Sequence, residues 1–101
     1  ACCFCRLVIS AVGPFRLFGE PVVRACAEAG TCYLDICGEP DFIERMEFKY
    51  GATARANGCH MASAAGFDSV PADLGTLLVQ RAFKAPAVPS AVEAYLSIRS
   101  G

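Results

Sequence analysis

Short apolar runs alternate along this chain with Gly/Pro corners and with segments of helical period. Residues 7–12 are apolar apart from Ser10 and stop at Gly13-Pro14. A run of this kind predicts a strand covered on both faces, as in a parallel sheet. Residues 15–20 read as a loop. Pro21 then suits the first turn of a helix, because it has no amide hydrogen to leave unpaired. The helix expected over 21–29 closes at Gly30, which takes the left-handed conformation of a C-terminal cap without a Cβ penalty. Apart from Arg24 and Glu28, its wet positions, the segment is rich in Ala, Val and Cys and predicts close packing on the sheet.

A second strand is expected over 32–37, closed by Gly38-Glu39-Pro40, with Pro40 opening a second helix. Glu39 or Asp41 lies near the positive end of that helix. Phe42, Met46 and Tyr50 recur at four-residue spacing with Ile43 beside them, which makes one apolar stripe; Glu44, Arg45, Glu47 and Lys49 form the wet face. Gly51 costs a helix interior about 1 kcal/mol relative to Ala, so a kink or break is expected there. Asn57-Gly58 stops the helix.

Residues 59–65 make a third, shorter run, followed by Gly66-Phe67-Asp68-Ser69-Val70-Pro71 and a helix from residue 71 to about residue 83. Asp68 or Ser69 is placed to cap it, with Asp73 in its first turn, and Leu74, Leu77 and Leu78 form the stripe expected to be buried. Residues 84–90, with two prolines and no period, read as a linker. Val92, Ala94, Leu96 and Ile98 then alternate with polar or amphipathic neighbours, the pattern of a strand wet on one face. The resulting organisation is an α/β unit of parallel strands and flanking helices over 1–83, a linker over 84–90, and the first strand of a second domain over 91–101.

Composition narrows the function classes. The chain has 101 residues, 54% of them apolar and 19% charged, which suits one small globular unit rather than a disordered segment. A net charge of −1 gives no electrostatic reason to expect nucleic acid or an anionic membrane surface. No run approaches the roughly 18 uninterrupted apolar residues of a spanning helix. The chain starts at Ala1 and enters an apolar stretch at once, with no basic start or cleavage signal, so a piece of a longer protein is expected. Seven cysteines cannot all pair internally, and Cys26, Cys37 and Cys59 sit in apolar segments, which favours an intracellular, reducing compartment. The Cys2-Cys3-x-Cys5 cluster, even with His60, matches no usual zinc spacing, and no metal is expected.

Four segments carry a family resemblance: Val12-Gly13-Pro14-Phe15, Phe18-Gly19-Glu20-Pro21-Val22-Val23, Tyr33-Leu34-Asp35-Ile36-Cys37-Gly38-Glu39-Pro40, and Gly66-Phe67-Asp68-Ser69-Val70-Pro71-Ala72-Asp73-Leu74-Gly75. In this order and at these separations they resemble the saccharopine dehydrogenase-like oxidoreductases. The resemblance implies the C-terminal part of a Rossmann-type NAD(P)-binding domain followed by a mixed α/β domain. It also implies NAD or NADP as cofactor and a small or lipid-like substrate. The family includes saccharopine dehydrogenases of lysine metabolism, mycobacterial trans-acting enoyl reductases, and eukaryotic relatives associated with lipid droplets and membranes. The Gly-Phe-Asp-Ser-Val-Pro segment is more similar to the last two groups. The chain departs from the pattern in one respect: it contains no G-x-G-x-x-G turn to cradle a pyrophosphate. The expectation is therefore an NAD(P)-dependent parent of which this piece alone is inactive. The alternative is a non-catalytic membrane- or lipid-droplet-associated binding protein derived from the same family.

In open parallel sheets ligands bind beyond the carboxyl ends of the strands. With the resemblance, that rule makes Gly13, Pro14, Phe15, Gly38, Glu39, Phe67, Asp68 and Ser69 the candidate cofactor contacts. Each has a plainer reading: Gly13-Pro14 ends a strand, while Glu39, Asp68 and Ser69 serve a helix start. Glu20 is expected to serve its helix start rather than catalysis. Asp35, inside an apolar run, needs a partner, either backbone amides or Arg16 or Arg81, unless it is exposed at the strand end. His60 lies at the far end of its strand from the expected site, and no catalytic residue is assigned.

Overall fold

The computed structural model describes residues 5–97 and residue 99. Within them the order is β1 (Leu7–Ser10), α1 (Phe15–Phe18), α2 (Glu20–Ala29), β2 (Cys32–Asp35), α3 (Pro40–Ala56), β3 (Met61–Ala62) and α4 (Val70–Ala82). The three strands form one sheet in the order β1-β2-β3, and both pairings are parallel. The architecture is the expected α/β arrangement of parallel strands and flanking helices.

Register decides which side chains enter the core. Val8 lies opposite Tyr33, which lies opposite Met61, and this row faces the helices. There Phe15, Val23, Cys26, Tyr33, Cys37, Phe42 and Met46 form the main cluster, and Ala27, Ala54 and Cys59 a second one. The neighbouring row, Ile9, Leu34 and Ala62, points the other way because successive strand residues alternate faces. Ile9 is 70% exposed, so the expectation of strands covered on both faces is corrected. Covering the second face requires a layer that the described residues do not supply.

The helices follow their sequence signals with four corrections. Residues 15–20 are not a loop: α1 is a single turn there, with Gly19 stacked between it and α2. The α2 helix ends at Gly30 with φ 67°, the expected left-handed cap. The α3 helix continues through Gly51 without a break. Its stripe, with Phe42, Met46 and Ala54 buried, packs along α2 and offsets the glycine's cost. At its end Asn57 Nδ2 donates to the Ala27 and Glu28 carbonyls at 2.8 and 3.3 Å and ties the two helices together. The α4 helix forms where expected, but Ser69 makes no side-chain cap bond and no α4 residue is buried. Leu74, Leu77 and Leu78 are exposed, because no described element packs closely on that helix. Residues 91–97 have no regular structure, since a single strand without a pairing partner is not stable. Ile98, in the same alternating run, and Cys2 and Cys3 of the cysteine cluster lie outside the described residues. Cys26, Cys37 and Cys59 are buried, as their apolar neighbours suggest.

Candidate functional site

Parallel strands place every strand-to-helix corner at one end of the sheet. The three corners after β1, β2 and β3 meet there, and two carboxylates hold them together. Glu39, at the start of α3, spans the first two corners. Its Oε1 accepts from the Phe15 amide at 2.8 Å and its Oε2 from the Arg16 amide at 2.9 Å. These are donors of the opening turn of α1, and Pro14 before them has no amide of its own. Glu39 therefore serves a helix start, but that of α1 rather than of its own helix, where it makes no side-chain cap bond. The Arg16 guanidinium lies 3.8 Å from Glu39 and 3.4 Å from Asp41, an exposed pairing worth little by itself.

Asp35 holds the second and third corners together. It is 1% exposed at the end of β2. Its Oδ1 accepts from the Cys37 and Ala64 amides, both at 3.0 Å. Its Oδ2 accepts from the Tyr33 hydroxyl at 2.9 Å and the Ser63 hydroxyl at 3.1 Å. The Asp35 carbonyl also accepts from the Ala65 amide at 2.7 Å. Of the partners the sequence allowed, backbone amides are present and two hydroxyls join them; neither arginine is involved. Ala64 adopts φ 57°, the left-handed region that costs a residue with a Cβ free energy, and its amide bond to Asp35 helps hold it there. Burial, and then the bond to Asp35, push the Tyr33 hydroxyl's pKa well above its ordinary value.

The remaining candidates border this rim. Gly13 and Pro14 are exposed, whereas the Phe15 ring is buried against Phe42 with ring centroids 5.8 Å apart, so only the Phe15 backbone reaches the rim. A Cβ on Gly38 would lie 3.4 Å from Asp68 Oδ2, which places the second and third corners side by side. A Cβ on Gly66 would lie 2.9 Å from Ile36, so at the third corner the backbone approaches Ile36, just past β2, more closely than a side chain allows without a shift. Phe67 is 71% exposed and Ser69 is half-buried. All eight candidates thus belong to one rim, formed mostly by backbone and apolar surface. Tyr33, Ser63 and Ala64 were not singled out from sequence. Tyr33 and Asp35, two apart on one strand and hence on one face, carried a readable signal; Ser63 and Ala64 carried none.

Two features lie apart from the rim. Glu20 opens α2 and accepts from Lys49 Nζ at 2.8 Å and the Tyr50 hydroxyl at 3.0 Å, which hold its carboxyl below the usual range. A cavity of about 660 Å³ lies between α3 and β3, with Met46, Ala54, Met61 and His60 among its lining residues.

No family model and no solved structure matches the chain. Among curated proteins it is 50% identical over 98% of its length to a saccharopine dehydrogenase-like oxidoreductase of Arabidopsis thaliana. It is 48% identical over 94% of its length to the protein of that name in Rattus norvegicus. To a lipid droplet localized protein of Caenorhabditis elegans it is 49% identical over 77% of its length. It covers 22% of the first two relatives and 18% of the third. The ordered motifs, the parallel sheet and these identities agree: the chain belongs to the saccharopine dehydrogenase-like oxidoreductases, and spans 22% of the length of its plant and rat relatives.

Proposed function

We propose that this chain is part of an NAD(P)-dependent oxidoreductase and supplies the rim that borders the nicotinamide half of the cofactor. The observation that carries this reading is the meeting of three strand-end corners on one rim, the place where open α/β sheets bind ligands. The residues fit that half of the cofactor: Gly13, Pro14, the Phe15 backbone, Gly38 and Phe67 offer a surface of backbone and apolar groups suited to a flat ring. Glu39, Asp68 and Ser69 complete the border. Arg16, a cation at this rim, already faces Glu39 and Asp41, so the pyrophosphate is assigned to residues of the longer protein. The bound cofactor would supply hydride transfer; the residues here bind and orient it. NAD and NADP are both accommodated by this reading, and the substrate is a small or lipid-like molecule.

In this reading residues 1–83 belong to the cofactor domain, 84–90 to a linker, and 91–101 to the start of a second domain. The protein is placed inside the cell, in a reducing compartment, at a lipid droplet or membrane surface. No helix among the described residues is long and apolar enough to cross a membrane. Titrating NADH and NADPH separately into the complete protein, followed by calorimetry, tests the proposal. Saturable binding of one of them supports it, and binding of neither overturns it.

A second reading, a binding protein without turnover at a lipid droplet, is favoured by the name of the C. elegans relative. Droplet association without nucleotide binding would support it over the first.

A further inference from the structure

We infer that Glu39 is a positioning residue, which fixes the backbone of the corner at residues 13–15 against the cofactor without touching the cofactor itself. This deepens the oxidoreductase reading and rests on it. An acid at the start of a helix ordinarily accepts from that helix's own first amides. Glu39 does not: its two oxygens reach 24 and 23 residues back, to the Phe15 and Arg16 amides. Two amides held by one carboxylate constrain the orientation of the corner as well as its position.

The same stretch of α3 grips the corner a second time. Phe42, fully buried three residues after Glu39, packs its ring against Phe15. The corner is thus held by its backbone through Glu39 and by its side chain through Phe42. Gly13 and Pro14, immediately before these two anchors, are left exposed on the rim. With both carboxylate oxygens bonded to α1 amides, the Glu39 side chain, 27% exposed, has an acceptor on each oxygen engaged by the protein's own backbone. Its contribution to cofactor binding is then to reduce the freedom the corner must lose on binding.

The test uses the complete protein and three variants. Glu39→Gln replaces one acceptor with an amino group that confronts an amide donor. Glu39→Asp keeps the charge but is one methylene too short to bridge both amides. Asp41→Asn removes a neighbouring charge, touches neither amide, and serves as the control. Amide exchange at Phe15 and Arg16 is measured by NMR, and dissociation constants for NADH and NADPH by calorimetry. In the wild type both amides should be protected, although α1 is only one turn long. In both Glu39 variants their exchange should quicken, and the dissociation constant of the nucleotide that binds should rise about tenfold, as expected for losing one charge-assisted hydrogen bond. Asp41→Asn should stay within about twofold of wild type on both measures, as an exposed pair predicts.

Unprotected wild-type amides overturn the inference whether or not the variants fold. So does weakened nucleotide binding with unchanged exchange, which would mean direct contact. Quickened exchange with unchanged binding, or an Asp41→Asn effect as large as that of Glu39→Gln, also overturns it while leaving the oxidoreductase reading intact. A wild-type protein that binds neither nucleotide overturns both.

Discussion

Replacing Asp35 should separate the role of its shape from that of its charge, because its four side-chain partners divide between its two oxygens by type. Oδ1 takes only amides, from Cys37 and Ala64, and Oδ2 takes only hydroxyls, from Tyr33 and Ser63. In Asp35→Asn the amide oxygen can occupy the Oδ1 position and keep both amides. The amino group then falls at the Oδ2 position and donates to two hydroxyls, which can rotate and accept. All four contacts survive in weaker, neutral form, while the cost of burying a charge disappears. The net loss should be about 1 kcal/mol. Asp35→Ala strands two backbone amides that cannot reorient, at about 1–3 kcal/mol each, and removes the partner of both hydroxyls. Its cost should reach about 4 kcal/mol or more, much of the ~5–15 kcal/mol typical of a folded domain. Urea unfolding followed by near-ultraviolet circular dichroism measures both. Equal losses for Asn and Ala, or a larger loss for Asn, would refute the division of partners.

The glycine corners should rank by how little their neighbours can yield. Gly19→Ala places a Cβ 2.5 Å from Phe42 Cζ and 2.8 Å from the Phe15 carbonyl. Because Phe42 is fully buried, it should cost about 1–3 kcal/mol or more. Gly66→Ala meets Ile36 Cβ and Cγ2 at the longer distance of 2.9 Å and should cost less, and Gly38→Ala, 3.4 Å from Asp68 Oδ2, least; melting temperatures give the order. Glu20 has a folded-state pKa below its ordinary 4.5, chiefly through Lys49 and then Tyr50. Its contribution is therefore complete above 4.5 and should fade as pH falls through the folded value, an acid-side slope that Glu20→Gln should reduce in pH-dependent urea titrations. Tyr33 is shifted the other way by burial and Asp35, so its contribution is complete below its ordinary 10.0 and should fade as pH rises above it. Tyr33→Phe should reduce that alkaline slope in the same titrations.

Much of the architecture was legible because it depends on local patterns. The run at 32–37, of which Cys32–Asp35 forms β2, the Pro40 start, the Phe42/Met46 stripe and the Gly30 stop each express a preference of a few neighbouring residues, and the structure realises them in kind and order. The candidate rim was legible for the same reason, since parallel strands carry their corners to one end whatever the side chains. What those side chains do there was not. The helix start that Glu39 serves, and the bonds by which Asp35 reaches Ser63 and Ala64, depend on groups more than 20 residues apart, which no local period encodes. Burial was misread for a related reason. The apolar run at 7–12, broken only by Ser10, states what would be favourable to cover, but whether Ile9 is covered depends on what packs beside it. The same holds for the leucines of α4. Hydrophobic pattern and turn chemistry determined the order and kind of the elements. Partner choice, burial and the orientation of the rim were decided only when the chain brought distant donors and acceptors together, because those free energies exist only in the assembled state.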